Sequence, residues 1–269
     1  MLKMLIDIHS HLDHCYFEDD LDKVIDNAVK ANVKVILTAG TNPGKNRVSL
    51  KLAEKYGIVK ACLGIHPVQY GDKKSIIKNK QSKSIKNDNL SKIDIDKETK
   101  FIEKNKNKII AIGEVGLDYF WDKDNKKQQQ ELFEKMISLA EKLNKPIIVH
   151  SRKAESDTIE KLRSSKLKKV IIHSFTGKKS LVKEIVDNGW FITAPTCIVR
   201  STQFQDNVKL APINQIFCET DAPYLTPFKD KRNEPAFVAE AYKKLAEVKK
   251  MELKEVINNI WMNWQKVFE

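Results

Sequence analysis

The ten residues LIDIHSHLDH, 5 to 14, hold three histidines and two aspartates directly behind the start of the chain. Imidazole nitrogens and carboxylate oxygens are the donors that bind divalent cations, and they also move protons near neutral pH. A strand repeats every two residues, so His9 and His11 point to one face, about 6.6 Å apart along it, while Ile8 and Ser10 face the other way. For an isolated pair of this kind, a satisfied core histidine explains the pattern as well as a metal does. Further along stand His66, Glu114, His150, His173 and Asp221, each at the end of a short apolar run or just beyond it. Five of the six histidines in the chain belong to this set. Chance would scatter them over helices and loops.

The elements that must position these groups are legible as apolar runs: Leu5 to Ile8, Val33 to Ala39, Val59 to Ile65, Ile109 to Ile112, Ile147 to Val149, Val170 to Ile172, Trp190 to Thr193, and Gln215 to Cys218. These are eight strand candidates, and helical patterns separate them. In Gln130 to Leu143, for example, Leu132, Met136, Leu139, Ala140 and Leu143 follow helical spacing. Strands that alternate with helices pair in parallel through crossovers, and eight such units close into a (β/α)8 barrel of the TIM type. An open doubly wound sheet is the alternative, but no GxGxxG or GxxxxGK[ST] loop follows any strand. A single α/β barrel domain over residues 1–269 is therefore expected. Val238 to Val248 and Leu253 to Phe268 read as closing helices, with Trp261 and Trp264 packed on the barrel. Residues 71 to 97, rich in Lys, Ser and Asn, read as an insertion after the third strand: a solvated loop, or a basic flap over the barrel mouth.

Active sites of such barrels are built at the C-terminal ends of the strands, which is where the polar set falls. A single catalytic zinc uses three protein ligands and a water, fewer than the groups available here. Two divalent ions fit better, with a bridging carboxylate between them, activating water and clamping the attacking and leaving oxygens. No lysine ends a histidine-rich strand in the manner a carbamylated bridge needs, which leaves Glu114 as the candidate bridge.

Seven segments give the chain a resemblance: IDIHSHLD (6 to 13), GIHP (64 to 67), IGEVGLDYF (112 to 120), IIVHSR with Ala154 (147 to 154), IIHSFTG (171 to 177), ETDAPYL (219 to 225) and RNEP (232 to 235). Together they resemble the TatD-related DNase family of the amidohydrolase superfamily. The resemblance implies a TIM-like barrel and a metal-dependent deoxyribonuclease, often a 3′-to-5′ exonuclease, hydrolysing phosphodiesters by a metal-activated hydroxide. It implies that His9, His11, Glu114 and Asp221 hold one metal and that Glu114, His150 and His173 hold the other. Asp221 would also orient the water, and His66 would lie near the substrate. Arg152, on the His150 face if that strand continues, could pair with a phosphate; a surface salt bridge is the other reading. In departure from the family, Ser174 stands for a cysteine after His173, and Ala194-Pro195 replaces a turn containing Gly and Ser.

The 48 basic and 36 acidic residues leave a charge of +12, which favours a polyanionic partner, although a lysine-biased proteome would produce the same excess. DNA is the expected substrate. A metal-dependent ester hydrolase acting on D-aminoacyl-tRNA would explain the same charge and the same ligands, and a binding protein with vestigial metals is the third class. His and carboxylate donors accept Zn²⁺, Mn²⁺, Mg²⁺ or Co²⁺. Cys15, Cys62, Cys197 and Cys218 form no CxxC pair, and no apolar run approaches the ~18 residues of a membrane span. A cytoplasmic monomer without membrane attachment is expected.

Overall fold

The apolar runs pair with their sequence neighbours. The computed structural model describes residues 4–68 and 93–269. Within them, β1 (Leu5–Ser10), β2 (Val33–Ala39), β3 (Val59–Leu63), β4 (Ile109–Asp118), β5 (Ile147–Arg152), β6 (Val170–Ile172), β7 (Phe191–Pro195) and β8 (Ile216–Glu219) form one sheet in that order. Every adjacent pair is parallel. The seam between β8 and β1 is nearly closed, by a parallel bridge from Ser10 to Ala222. The fold is a TIM-like (β/α)8 barrel.

Among the described residues, one helix fills each crossover: α1 (Leu21–Lys30), α2 (Pro43–Lys55), α3 (Ile95–Lys104), α4 (Lys126–Leu143), α5 (Glu155–Arg163), α6 (Lys179–Asp187) and α7 (Thr202–Leu210); α8 (Val238–Lys249) and α9 (Leu253–Phe268) follow β8. In α4, Leu132, Phe133, Met136, Ile137, Leu139 and Ala140 are buried, one apolar stripe against the barrel. The helix stops at Asn144, which takes the left-handed conformation (φ 50°) and returns its N–H to the last turn, a role asparagine tolerates. In α9, Trp264 is buried and stacks on Phe268 at 4.4 Å between ring centroids.

Several boundaries differ from the sequence expectation. The apolar run of β4 breaks at Gly113-Glu114, yet the strand continues to Asp118 because these polar residues face the barrel interior with partners of their own. β1 likewise runs on through His9 to Ser10, and β5 through His150 to Arg152. Of the expected 71–97 insertion, residues 71–92 lie outside the described residues. Ile95 to Lys97 belong to α3, where the Asp94 side chain accepts the N–H of Lys97 at 2.9 Å and caps the helix.

The seam is held by side chains where the strands do not meet. Tyr242 of α8 accepts the N–H of Ile6 at 3.0 Å and donates to the Ile6 carbonyl at 3.2 Å, so the buried hydroxyl stands in for a strand partner. Asp7 accepts the N–H of Thr220 at 2.8 Å and its hydroxyl at 2.5 Å. Burial drives the Asp7 carboxyl well above the usual range, against the hydrogen bonds from Thr220. Tyr242→Phe would strand two peptide groups in the core, a loss of about 1–3 kcal/mol. The expected result is a lower denaturant midpoint at an unchanged slope; an unchanged midpoint would show that another group satisfies Ile6.

Candidate metal centre

At the C-terminal end of the barrel, β1 presents two imidazoles, and their Nε2 atoms stand 3.3 Å apart. Glu114 Oε2, from the middle of β4, lies 3.6 Å from His9 Nε2 and 3.3 Å from His11 Nε2. Asp221 Oδ1, just past β8, lies 3.7 Å and 3.4 Å from the same two nitrogens. Four donors bound at ~2.0–2.2 Å to a tetrahedral ion stand about 3.3–3.6 Å apart. The edges of this donor set have that size.

The second oxygen of Glu114 faces a different set. Oε1 is 2.9 Å from His150 Nδ1, 2.9 Å from His173 Nε2 and 3.4 Å from His66 Nε2. His150 Nδ1 and His173 Nε2 are themselves 3.3 Å apart. One carboxylate thus gives an oxygen to each of two donor clusters, the geometry of a bridge. His66, expected beside the substrate, stands as close to Glu114 as the donors of the first set do.

Local structure explains why these groups converge. The register of β4 against β5 slips between Ile112 and Val115, which sets the strand around Glu114 apart from its flanks. Gly116 has φ +143°, and a Cβ there would meet the His150 carbonyl oxygen at 2.0 Å, so only glycine lets β4 approach His150 so closely. Asp221 also takes the left-handed region (φ 56°). It is pinned there because its N–H donates to His9 O at 2.9 Å and the His11 N–H donates to Ala222 O at 2.7 Å.

Asp118, outside the sequence-derived set, orients an imidazole: its Oδ2 lies 3.1 Å from His150 Nε2, which fixes the proton on Nε2 and turns the Nδ1 lone pair toward Glu114. The Ala39 carbonyl, 3.1 Å from His11 Nδ1, does the same for His11. Glu219 Oε1 accepts the Ser174 N–H at 3.0 Å and the Ser174 hydroxyl at 2.7 Å and stays 3.8 Å from His173 Nδ1, beyond hydrogen-bond distance. Strand alternation could have found Asp118, which shares the face of Glu114 two positions beyond Gly116.

The electrostatics of this cage call for cations. Burial would raise the Glu114 carboxyl, but the charges of His66 and His173 and hydrogen bonds from His11 and His150 hold it well below its ordinary range. Asp221 is also lowered, since the His11 hydrogen bond and the charges of His9 and His11 outweigh its burial. Burial acts to lower His11 and His173, yet Asp221 and Glu114 lift the first, and Glu114 the second, well above the usual imidazole value. Burial and His173 push His9 down. Two ionised carboxylates in a buried site need compensating positive charge; here His11 and His173 supply it, and divalent ions held by the same donors would supply it with the imidazoles neutral as ligands. The residues present fit metal ions.

Arg152 does not turn toward the cage. Its guanidinium carbon sits 4.3 Å above the centre of the Phe120 ring and 5.4 Å from that of Trp121. The aromatic pair follows β4 after Tyr119, and Arg152 reaches it from the end of β5.

Comparisons with known proteins agree with this geometry. The family model for TatD related DNase matches residues 6–269. The human deoxyribonuclease TATDN3 is 37% identical over 269 residues, which cover 98% of this chain and 94% of that protein. YabD of Bacillus subtilis, named an uncharacterized metal-dependent hydrolase, is 32% identical over 271 residues, covering 98% and 99%. The crystal structure of YJJV, a TatD homolog from Escherichia coli K12, matches with a TM-score of 0.84 at 26% identity over 100% of this chain and 99% of that one.

The orienting role of Asp118 is testable by Asp118→Asn. The amide oxygen can still accept the N–H groups of Phe120 and Trp121, each 2.9 Å from Asp118 Oδ1. Its NH2 would donate to His150 Nε2 and so move the proton to Nδ1, the atom that faces Glu114. Metal affinity measured by calorimetry should fall about 10–100-fold. Unchanged affinity would mean that Asp118 only anchors the turn.

Proposed function

Because the chain belongs to the TatD-related DNase family, we propose that it is a deoxyribonuclease in which His9, His11, Glu114, His150, His173 and Asp221 hold two divalent ions. The observation that carries this reading is the division of Glu114, one oxygen to each donor cluster. Ions bound there supply Lewis acidity toward a phosphoryl oxygen and make water more acidic. Histidine-rich clusters favour zinc over magnesium, which prefers oxygen donors.

The chain's own groups do the rest. Glu114 fixes the separation of the two clusters from a strand with no freedom to move. Asp221, held ionised and still partly open to solvent, takes the proton of the attacking water as the phosphodiester bond breaks. The excess of basic residues favours encounter with a polyanionic strand. Among the described residues, no helix is long and apolar enough to cross a membrane. We propose a 3′-to-5′ exonuclease direction.

Reconstituted protein should be given 3′-labelled and 5′-labelled single-stranded DNA beside a D-aminoacyl-tRNA. The expected outcome is metal-dependent release of nucleotides from the 3′ end, abolished by a chelator and restored by metal. Deacylation of the tRNA with intact DNA would replace the nuclease reading with an esterase. Glu114→Ala and Asp221→Asn should each lower turnover at saturating metal by about 10²–10⁴-fold with the barrel still folded by circular dichroism. A rate close to the parent's in either variant would remove that residue from the reaction.

A further inference from the structure

Phe120 and Trp121 are large aromatic side chains left open beside a buried catalytic cage, with 49% and 41% of their surfaces exposed. Their rings meet edge to face at 5.0 Å between centroids. Arg152 lies over both of them, itself exposed, and Lys126 Nζ sits 4.6 Å from the neighbouring Tyr119 ring. Hydrogen bonds hold the turn: the Phe120 and Trp121 N–H groups both donate to Asp118 Oδ1, and the Tyr119 N–H donates to the Arg152 carbonyl at 2.9 Å. The other oxygen of Asp118 faces His150, so this carboxylate ties the aromatic turn to the donor cage.

We propose that Phe120, Trp121 and Arg152 form a stacking site for an unpaired nucleobase of the substrate strand, next to the nucleotide whose phosphodiester is cut. The proposal rests on the nuclease reading above and specifies how the strand is held. Open aromatic faces joined to a guanidinium plane are the surface on which bases stack, and the cation also attracts the adjoining phosphate. An apolar protein partner would not be matched by the Arg152 charge at the centre of the patch. Arg152 covers one face of Phe120, and the exposed remainder of that ring, with the exposed part of Trp121 beside it, is where a base would stack.

The test uses metal-loaded protein with a short oligothymidylate and with the same backbone carrying tetrahydrofuran abasic residues. KM for the base-bearing strand should lie about 5- to 150-fold below that for the abasic one. In Phe120→Ala/Trp121→Ala this gap should close because KM for the base-bearing strand rises, with kcat within about twofold, and Trp121→Phe should retain most of it. Both side chains are half open to solvent, so the melting temperature should be little changed. A phosphorothioate oligothymidylate, which resists hydrolysis, should quench tryptophan emission in the parent and not in Trp121→Phe, which keeps the other three tryptophans. Equal KM values for the two strands in the parent, or a gap that survives in the double variant, overturns the stacking site. Failure of the nuclease reading looks different, since the parent then cleaves neither strand. In that event the emission measurement decides: no quenching overturns the site, and quenching lost in Trp121→Phe supports a base-binding surface that serves another nucleic-acid reaction.

Discussion

A carboxylate sealed inside a parallel barrel is the constraint around which this molecule is arranged. Glu114 is 3% exposed and sits on a strand whose other side chains are almost all buried. Left without partners, such a group would take up a proton or cost several kcal/mol of stability. Here each oxygen is met by imidazoles from other strands, and the carboxyl stays ionised. Four strands end in histidine or lead into one because this one oxygen pair needs them. The irregular register of β4 and the glycine against His150 are the backbone adjustments that make the meeting geometrically available.

The barrel seam serves the same end. β1 carries the first two imidazoles and the loop after β8 carries Asp221, yet these strands share only an isolated bridge. Their alignment depends on Asp7 with Thr220, on Asp221 with the His9 carbonyl, and on Tyr242 with Ile6. Closing the fold and assembling the first donor cluster are therefore one event. Asp7 shares the face of His9 and His11 by strand alternation, yet both of its oxygens are taken by Thr220, so it holds the two ends of the barrel together. A register shift separates it from Ser10 in the β1–β2 pairing.

How much was legible follows from which signals are local. The eight strands could be read because fully buried parallel strands are apolar on both faces and leave continuous runs. Their C-terminal limits could not, since the cage replaces apolar residues with polar ones where the site begins, as at Glu114 in β4 and His9 in β1. The donors themselves were legible as histidines and carboxylates at strand ends, and strand ends gather in space. Asp118 passed unnoticed although strand alternation puts it on the Glu114 face, because its role depends on the tilt of one imidazole. Arg152 was read as the end of β5 on the His150 face; β5 does reach it, but its side chain lies over Phe120, a ring brought near by the pairing of Asp118 with Arg152 across β4 and β5.

That pairing makes Asp118 the point where two tasks meet. One of its oxygens sets the proton on His150, and the other receives two backbone N–H groups of the aromatic turn. Burial would favour a neutral carboxyl, but the His150 hydrogen bond and charge keep it below its ordinary range, so both tasks are done by the ionised form. The aromatic turn at the rim and the orientation of His150 are thus joined through Asp118, beside the backbone pairing of β4 with β5. Loss of both oxygens would disturb both, whereas truncation of Phe120 or Trp121 leaves their peptide groups, and hence His150, in place.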